Sequence, residues 1–179
     1  MAIKAADVKK LRDATGAGMM DAKKALTEAD GDFDKAVDLL RVAGQAKAAK
    51  RSDREAANGL VVGAGNALVQ IGSETDFVAK NADFVTTADK IAKAVDAAKA
   101  DSKDAAAQVQ LDDGKTVAQT LEDLAGTIGE KIELADAAYF EGNTHIYLHR
   151  RSQDLPPQVG VMVEYTGEDL SLIHISDGA

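Results

Sequence analysis

Four groups of residues in this chain have types and spacings that could do chemistry. Asp30, Asp32 and Asp34 have the alternation that opens a calcium loop. The sixth loop position is then Lys35 where glycine is required, and the twelfth is Arg41 where a bidentate Glu belongs, so no metal is expected there. Gly16-Ala17-Gly18 invites a phosphate-loop or dinucleotide reading. However, Asp21 stands where the third glycine belongs, no strand-like run precedes it, and Lys23 is not followed by Ser or Thr. His145 and His149 share one side of a strand-like run but lie about 13 Å apart at the extended rise per residue, too far to hold one metal ion. With no cysteine and no histidine beside a nucleophile motif, no catalytic set and no cofactor are expected. The fourth group is Ser73-Glu74-Thr75-Asp76-Phe77-Val78-Ala79-Lys80, an acidic residue beside a large aromatic where a strand passes to a helix. Its chemistry is presentation, since such a junction can hold a side chain outward on a firm base. On spacing alone, Asp76 reads as a first-turn carboxylate facing the helix dipole and Phe77 as ordinary core.

The elements that must position these residues follow from periodicity. Val8, Leu11 and Ala14–Thr15 recur at helical spacing, with Gly16 placed as a C-cap. Met19, Ala22, Ala25–Leu26 and Ala29 define one face of a second helix. Asp32 is a good N-cap for a third, which places Phe33, Ala36–Val37 and Leu40 inward and is expected to end at Gly44. On spacing alone Met19 and Met20 both read as core, or, being adjacent in a helix and so about 100° apart, as one core and one exposed. From Gly59 the pattern becomes strand-like. Leu60–Val62 and Ala67–Ile71 flank a hairpin turn at Gly63–Asn66, and the second run leads directly into the Asp76–Phe77 stretch. Phe84, Ala88, Ile91–Ala92 and Val95 mark a helix, as do Val117, Leu121, Leu124–Ala125 and Ile128, with a polar loop and helical fragment between them. Ile132–Phe140, Thr144–His149 and Val159–Tyr165 read as strands, with Glu141-Gly142-Asn143 turning between the first two. Short connections favour an α+β fold, an antiparallel sheet with helices on one face.

Composition sets the bounds. The chain has 179 residues, 45% apolar but only 4% aromatic, so its core must rest on Ala, Val, Leu and Ile. Absence of cysteine suits a reducing compartment, no apolar run approaches the roughly 20 residues of a membrane span, and the N-terminus lacks a signal-peptide core. A cytoplasmic chain is therefore expected. The net charge of −9 argues against a general nucleic-acid binder. Residues 1–54 carry 12 Lys and Arg against 9 Asp and Glu, while the rest carry 9 against 21. A mildly basic head on an acidic body suggests two modules. Lys47, Lys50, Arg51 and Arg54 lack interleaved aromatics, so residues 45–58 read as a solvated basic linker or an extension of the third helix.

The wording is more specific than the chemistry. Thr75-Asp76-Phe77-Val78-Ala79-Lys80 resembles the central motif of the bacterial elongation factor Ts family, nucleotide-exchange factors for the GTPase elongation factor Tu. Leu11 to Leu26, which contains Thr15-Gly16-Ala17-Gly18-Met19-Met20-Asp21, resembles that family's N-terminal signature, and Ile128-Gly129-Glu130-Lys131-Ile132 resembles a third element. The resemblance runs from about Ala5 to about Tyr165. It implies a three-helix domain similar to the ubiquitin-associated fold over residues 1–44, a linker over 45–58, and the first half of the family's core over 59–169. Family members are normally longer, so a C-terminally shortened chain is implied, with weaker partner binding and slower exchange. Residues 170–179, which include Leu170-Ser171-Leu172-Ile173-His174-Ile175, look like a translated adapter and are expected to be non-native.

The resemblance also implies a site. Thr75, Asp76, Phe77 and Val78 would displace Mg²⁺ from elongation factor Tu, while Arg12, Met19, Met20, Lys23, Ile128, Gly129 and His149 would contact that partner. Two departures stand out. Gln70 and Gly72 replace the family's usual Glu and Asn, which is expected to loosen the strand behind Phe77, and Ala135–Asp136 replaces a pair of arginines. The alternative is a protein-interaction adaptor that uses the three-helix head alone.

Overall fold

The computed structural model describes residues 3–49 and 53–167. Lys50, Arg51 and the expected non-native tail at 170–179 lie outside the described residues. Chain contacts form two compact units. One runs to Arg54 and takes in Glu122–Lys131; the other comprises Glu55–Leu121 and the chain from Ile132 onward.

The first unit contains α1 (Ala5–Thr15), α2 (Met19–Glu28) and α3 (Phe33–Ala49). Its core is Val8, Leu11, Ala22, Ala25, Leu26, Ala29 and Ala36, with Phe33, Val37 and Leu40 packed against it. Four of these seven are alanines, and Leu11 and Leu26 are the large side chains fully buried among them. Helix α1 stops at Gly16, whose φ of 68° is accessible to glycine at little cost and lets its N–H donate to Arg12 O. Helix α3 starts where Asp32 Oδ1 accepts from Lys35 N at 3.1 Å, a conventional N-cap. It does not end at Gly44 as expected but continues to Ala49. Glycine inside a helix costs only about 1 kcal/mol, and the Ala-rich run that follows favours helix strongly enough to carry it.

The second unit is α+β. Strands β1 (Asn58–Ala64) and β2 (Ala67–Ser73) form the expected hairpin, and β3 (Ile132–Tyr139) pairs antiparallel with β2, giving the order β1-β2-β3. Central β2 buries Ala67, Val69, Ile71 and Ser73. Helix α5 (Ala82–Ala98) presents Phe84, Ala88, Ile91, Ala92 and Val95, all buried, from the other side of this small core. Truncating Phe84 to Ala would cost about 3–5 kcal/mol. The hairpin tip is fastened to α5, because Asn66 N donates to Asp96 Oδ1 at 2.8 Å. Helices α6 (Lys103–Gln108) and α7 (Val117–Ile128) follow before β3.

The last two strands, β4 (Asn143–His149) and β5 (Val159–Tyr165), pair with each other and not with β3. Glu141–Asn143 is therefore a corner between two antiparallel ladders, not a turn within one sheet. The cause is long-range. Asn66 Nδ2 donates to both Phe140 O and Gly142 O at 2.9 Å, which ties the end of β3 to the β1–β2 turn. The β4–β5 ladder then lies against β1, where Val61 N donates to Pro157 O at 2.7 Å. Glycine at 160 suits this approach, since a Cβ would come 2.7 Å from Val61 Cγ1 and a side chain would have to shift. The β2–β3 register slips between Gln70 and Ile71, opposite Leu134–Asp136. The Ala135–Asp136 departure thus falls on a bulge.

Candidate functional site

The stretch from Ser73 to Asn81 is built from the strand outward. Ser73 is completely buried, and its Oγ donates to Thr75 O at 2.9 Å. Asn58 on the neighbouring strand donates from Nδ2 to Glu74 O at 2.8 Å. These two bonds hold the exit from β2 extended through Thr75, whose φ and ψ are −123° and 158°. One helical turn, α4 (Asp76–Ala79), follows. Asn81 closes the other end, since its N–H donates to Val78 O at 2.9 Å and its side chain accepts from Asp83 N and Phe84 N to start α5. The turn is thus bracketed by hydrogen bonds on both sides.

A single helical turn has room for few inward residues, and here they are Val78 and Ala79, both buried. Phe77 points the other way and is 78% exposed. That corrects the spacing-only reading of Phe77 as core. Asp76 lies in the first turn and pairs with Lys80, Oδ2 to Nζ at 3.5 Å, with both side chains about 40% exposed, so the pair contributes little stability. Gly72 sits under this assembly. A Cβ there would lie 3.0 Å from Ala56 O, so the chain before β1 closes over a position where a larger residue would have to push it away.

The remaining predicted residues divide between the units. Arg12, Met19, Met20, Lys23, Ile128 and Gly129 all belong to the first, although Ile128 and Gly129 are far from the others in sequence. Met19 is 47% exposed and Met20 76%, which corrects the spacing-only reading of either as core. They open α2, where the buried face begins only at Ala22, and N-cap Gly18 offers no side-chain bond. Arg12 is held by Asp13, with Nε and Nη2 both donating to Oδ1 at 2.9 and 2.6 Å. Lys23 is exposed. Gly129, at φ 90°, ends α7 by donating to Ala125 O at 2.9 Å. In the second unit, His149 is exposed at the end of β4, with Nδ1 3.2 Å from Tyr147 Oη. Among the described residues, no group of three His, Asp or Glu is arranged to hold a metal ion. No described helix is long and apolar enough to cross a membrane.

Three positioning residues escaped the sequence reading: Asn58, Ser73 and Asn81. Asn81 had a local signal, an Asn just before a helical pattern. Asn58 had none, because its partner Glu74 lies sixteen residues on, just past the end of β2.

What these elements present is an exposed aromatic side chain on one unit and exposed methionines on the other. Comparison with known proteins matches the sequence to a family. The profile of the family described as Elongation factor TS matches residues 74–175, which include the Phe77 turn. The elongation factor Ts of Cutibacterium acnes is 73% identical over 174 residues, covering 97% of this chain and 64% of that relative. The protein of the same name from Nocardioides sp. is 58% identical over 168 residues, 93% of this chain and 62% of its own length. That of Mycolicibacterium gilvum is 56% identical over 170 residues, 95% and 62% respectively. The chain thus spans under two thirds of the length of these relatives, and over that span it belongs to the elongation factor Ts family.

Proposed function

We propose that this chain associates with elongation factor Tu in its GDP form and promotes exchange of GDP for GTP, as a cytoplasmic binding factor that makes and breaks no covalent bond. The observation that carries this reading is Phe77, 78% exposed on a turn whose neighbours Val78 and Ala79 are buried. A large aromatic side chain exposed on so constrained a base is suited to entering a partner.

In this reading Phe77 wedges beside the nucleotide site while Asp76 engages a neighbouring helix, and the stretch Thr75–Val78 disturbs the Mg²⁺ and phosphate contacts that retain GDP. Mg²⁺ is a sensitive target because it demands near-ideal octahedral geometry. Linkage then requires that the factor bind nucleotide-free elongation factor Tu more tightly than the GDP complex. Burying one Phe supplies about 1.5–3 kcal/mol, or roughly 10- to 150-fold. Arg12, Met19, Met20, Lys23, Ile128, Gly129 and His149 supply further contacts.

Release of a fluorescent GDP analogue from elongation factor Tu, followed with and without this chain, tests the reading. Acceleration that rises with chain concentration is expected. A chain that binds elongation factor Tu without accelerating release is instead an adaptor, a reading favoured by the exposure of Met19 and Met20 on the three-helix head.

A further inference from the structure

The first compact unit contains a helical segment that does not adjoin it in sequence, the last turns of α7. Three glycines explain how that segment fits. At Gly16, a Cβ would fall 2.6 Å from Thr127 Cγ2, so the turn between α1 and α2 accepts the Thr127 methyl only as glycine. Gly44 of α3 and Gly126 of α7 face each other backbone to backbone. A Cβ on Gly126 would lie 3.8 Å from Gly44 Cα, and one on Gly44 would lie 3.9 Å from Gly126 Cα. A cavity of about 290 Å³ opens beside this contact and is lined by Gly18, Asp21 and Lys24 of the head and by Thr127 and Gly129. Lys131 Nζ also donates to Arg54 O at 2.9 Å. Gly44 is otherwise unexplained, since it sits inside α3 and weakens that helix relative to alanine.

We propose that Gly16, Gly44 and Gly126 are positioning residues that seat the end of α7 against the three-helix head. They make Ile128–Gly129 one partner-facing unit with Arg12, Met19, Met20 and Lys23. That the partner is elongation factor Tu rests on the function proposed above; the contact itself does not. The separation of 3.8 Å is ordinary van der Waals contact, so a single methyl fits at residue 126. A β-branched side chain adds two γ carbons with little χ1 freedom in a helix, so it is expected to press on the facing backbone.

The test compares Gly126→Ala with Gly126→Val in the full chain. Both residues favour helix over glycine, so a defect confined to valine cannot come from helix propensity. Backbone amide spectra give a readout that needs no partner. The valine variant is expected to move the amide signals of Gly16, Gly44, Ile128 and Gly129 at unchanged helix content, and the alanine variant to leave them nearly in place. In the nucleotide-release assay, valine is expected to raise the half-saturating concentration about tenfold with the rate at saturation unchanged, and alanine to stay within twofold. Unmoved amides in the valine variant would overturn the seating. Moved amides with an unchanged half-saturating concentration would overturn the positioning role. If the parent chain accelerates no release, the exchange reading fails by itself, and the amides still decide whether the end of α7 is seated.

Discussion

Phe77 and the Met19–Met20 pair are both exposed apolar groups, but they are held in different ways. Phe77 stands on a turn fixed by Ser73 and Asn58 on one side and Asn81 on the other, above buried Val78 and Ala79. Met19 and Met20 open a helix whose N-cap is Gly18, with no side-chain bond to steady it. Their side chains are also longer and freer. Burying a methionine gives about as much as burying a phenylalanine, but it sacrifices up to about 1.5–2 kcal/mol of rotamer entropy. The first arrangement suits a wedge that must push on its partner. The second suits an adaptable contact that follows the partner's surface.

The largest effect is expected from Phe77→Ala. Stimulated nucleotide release should fall about 10- to 150-fold, while the urea midpoint stays within the equivalent of about 0.5 kcal/mol, because the side chain is exposed. Equal release rates for mutant and parent would break the contrast between wedge and adaptable contact. Asn81→Ala comes next. Loss of the cap should lower unfolding free energy by about 1 kcal/mol, and it should slow release only if the bracket around Phe77 matters. Chemical denaturation measured beside the release assay separates the two effects. Met20→Ala should weaken the half-saturating concentration only a few-fold, since entropy regained in the free state offsets much of the lost burial. A loss as large as that of Phe77→Ala would show that the head contact is as constrained as the wedge. Lys80→Ala should be the mildest, changing stability by less than about 1 kcal/mol, because its pair with Asp76 is solvent-screened. A larger drop in denaturation midpoint would mean that the pair helps hold the turn.

Legibility in the sequence differed between these regions for a physical reason. The three head helices and α5 were readable because a 3.6-residue period, a cap and a breaker all lie within a few residues of one another. The orientation of Phe77 was not, since one helical turn is too short to show a period. Only the likeness of Thr75–Lys80 to a known motif pointed outward. Met19 was misplaced because period alone extends an apolar face to the first turn, whereas the buried face of α2 begins at Ala22. The end of α3 was misplaced because Gly44 was read as a stop, whereas the Ala-rich run after it carries the helix on to Ala49, the extension that residues 45–58 also allowed.

By itself the sequence determined the helices and strands, the α+β class, the hairpin that leads into the Phe77 stretch, and the family likeness. Each depends on local periodicity or on contiguous residues. Tertiary structure alone decided that β3 and β4 belong to different ladders, through the reach of Asn66 to Phe140 and Gly142. It alone seated Ile128–Gly129 in the same unit as Met19 and Met20. It also turned Phe77 out and Val78 in. These outcomes depend on hydrogen bonds and close backbone approaches between residues far apart in the chain, which no local pattern encodes.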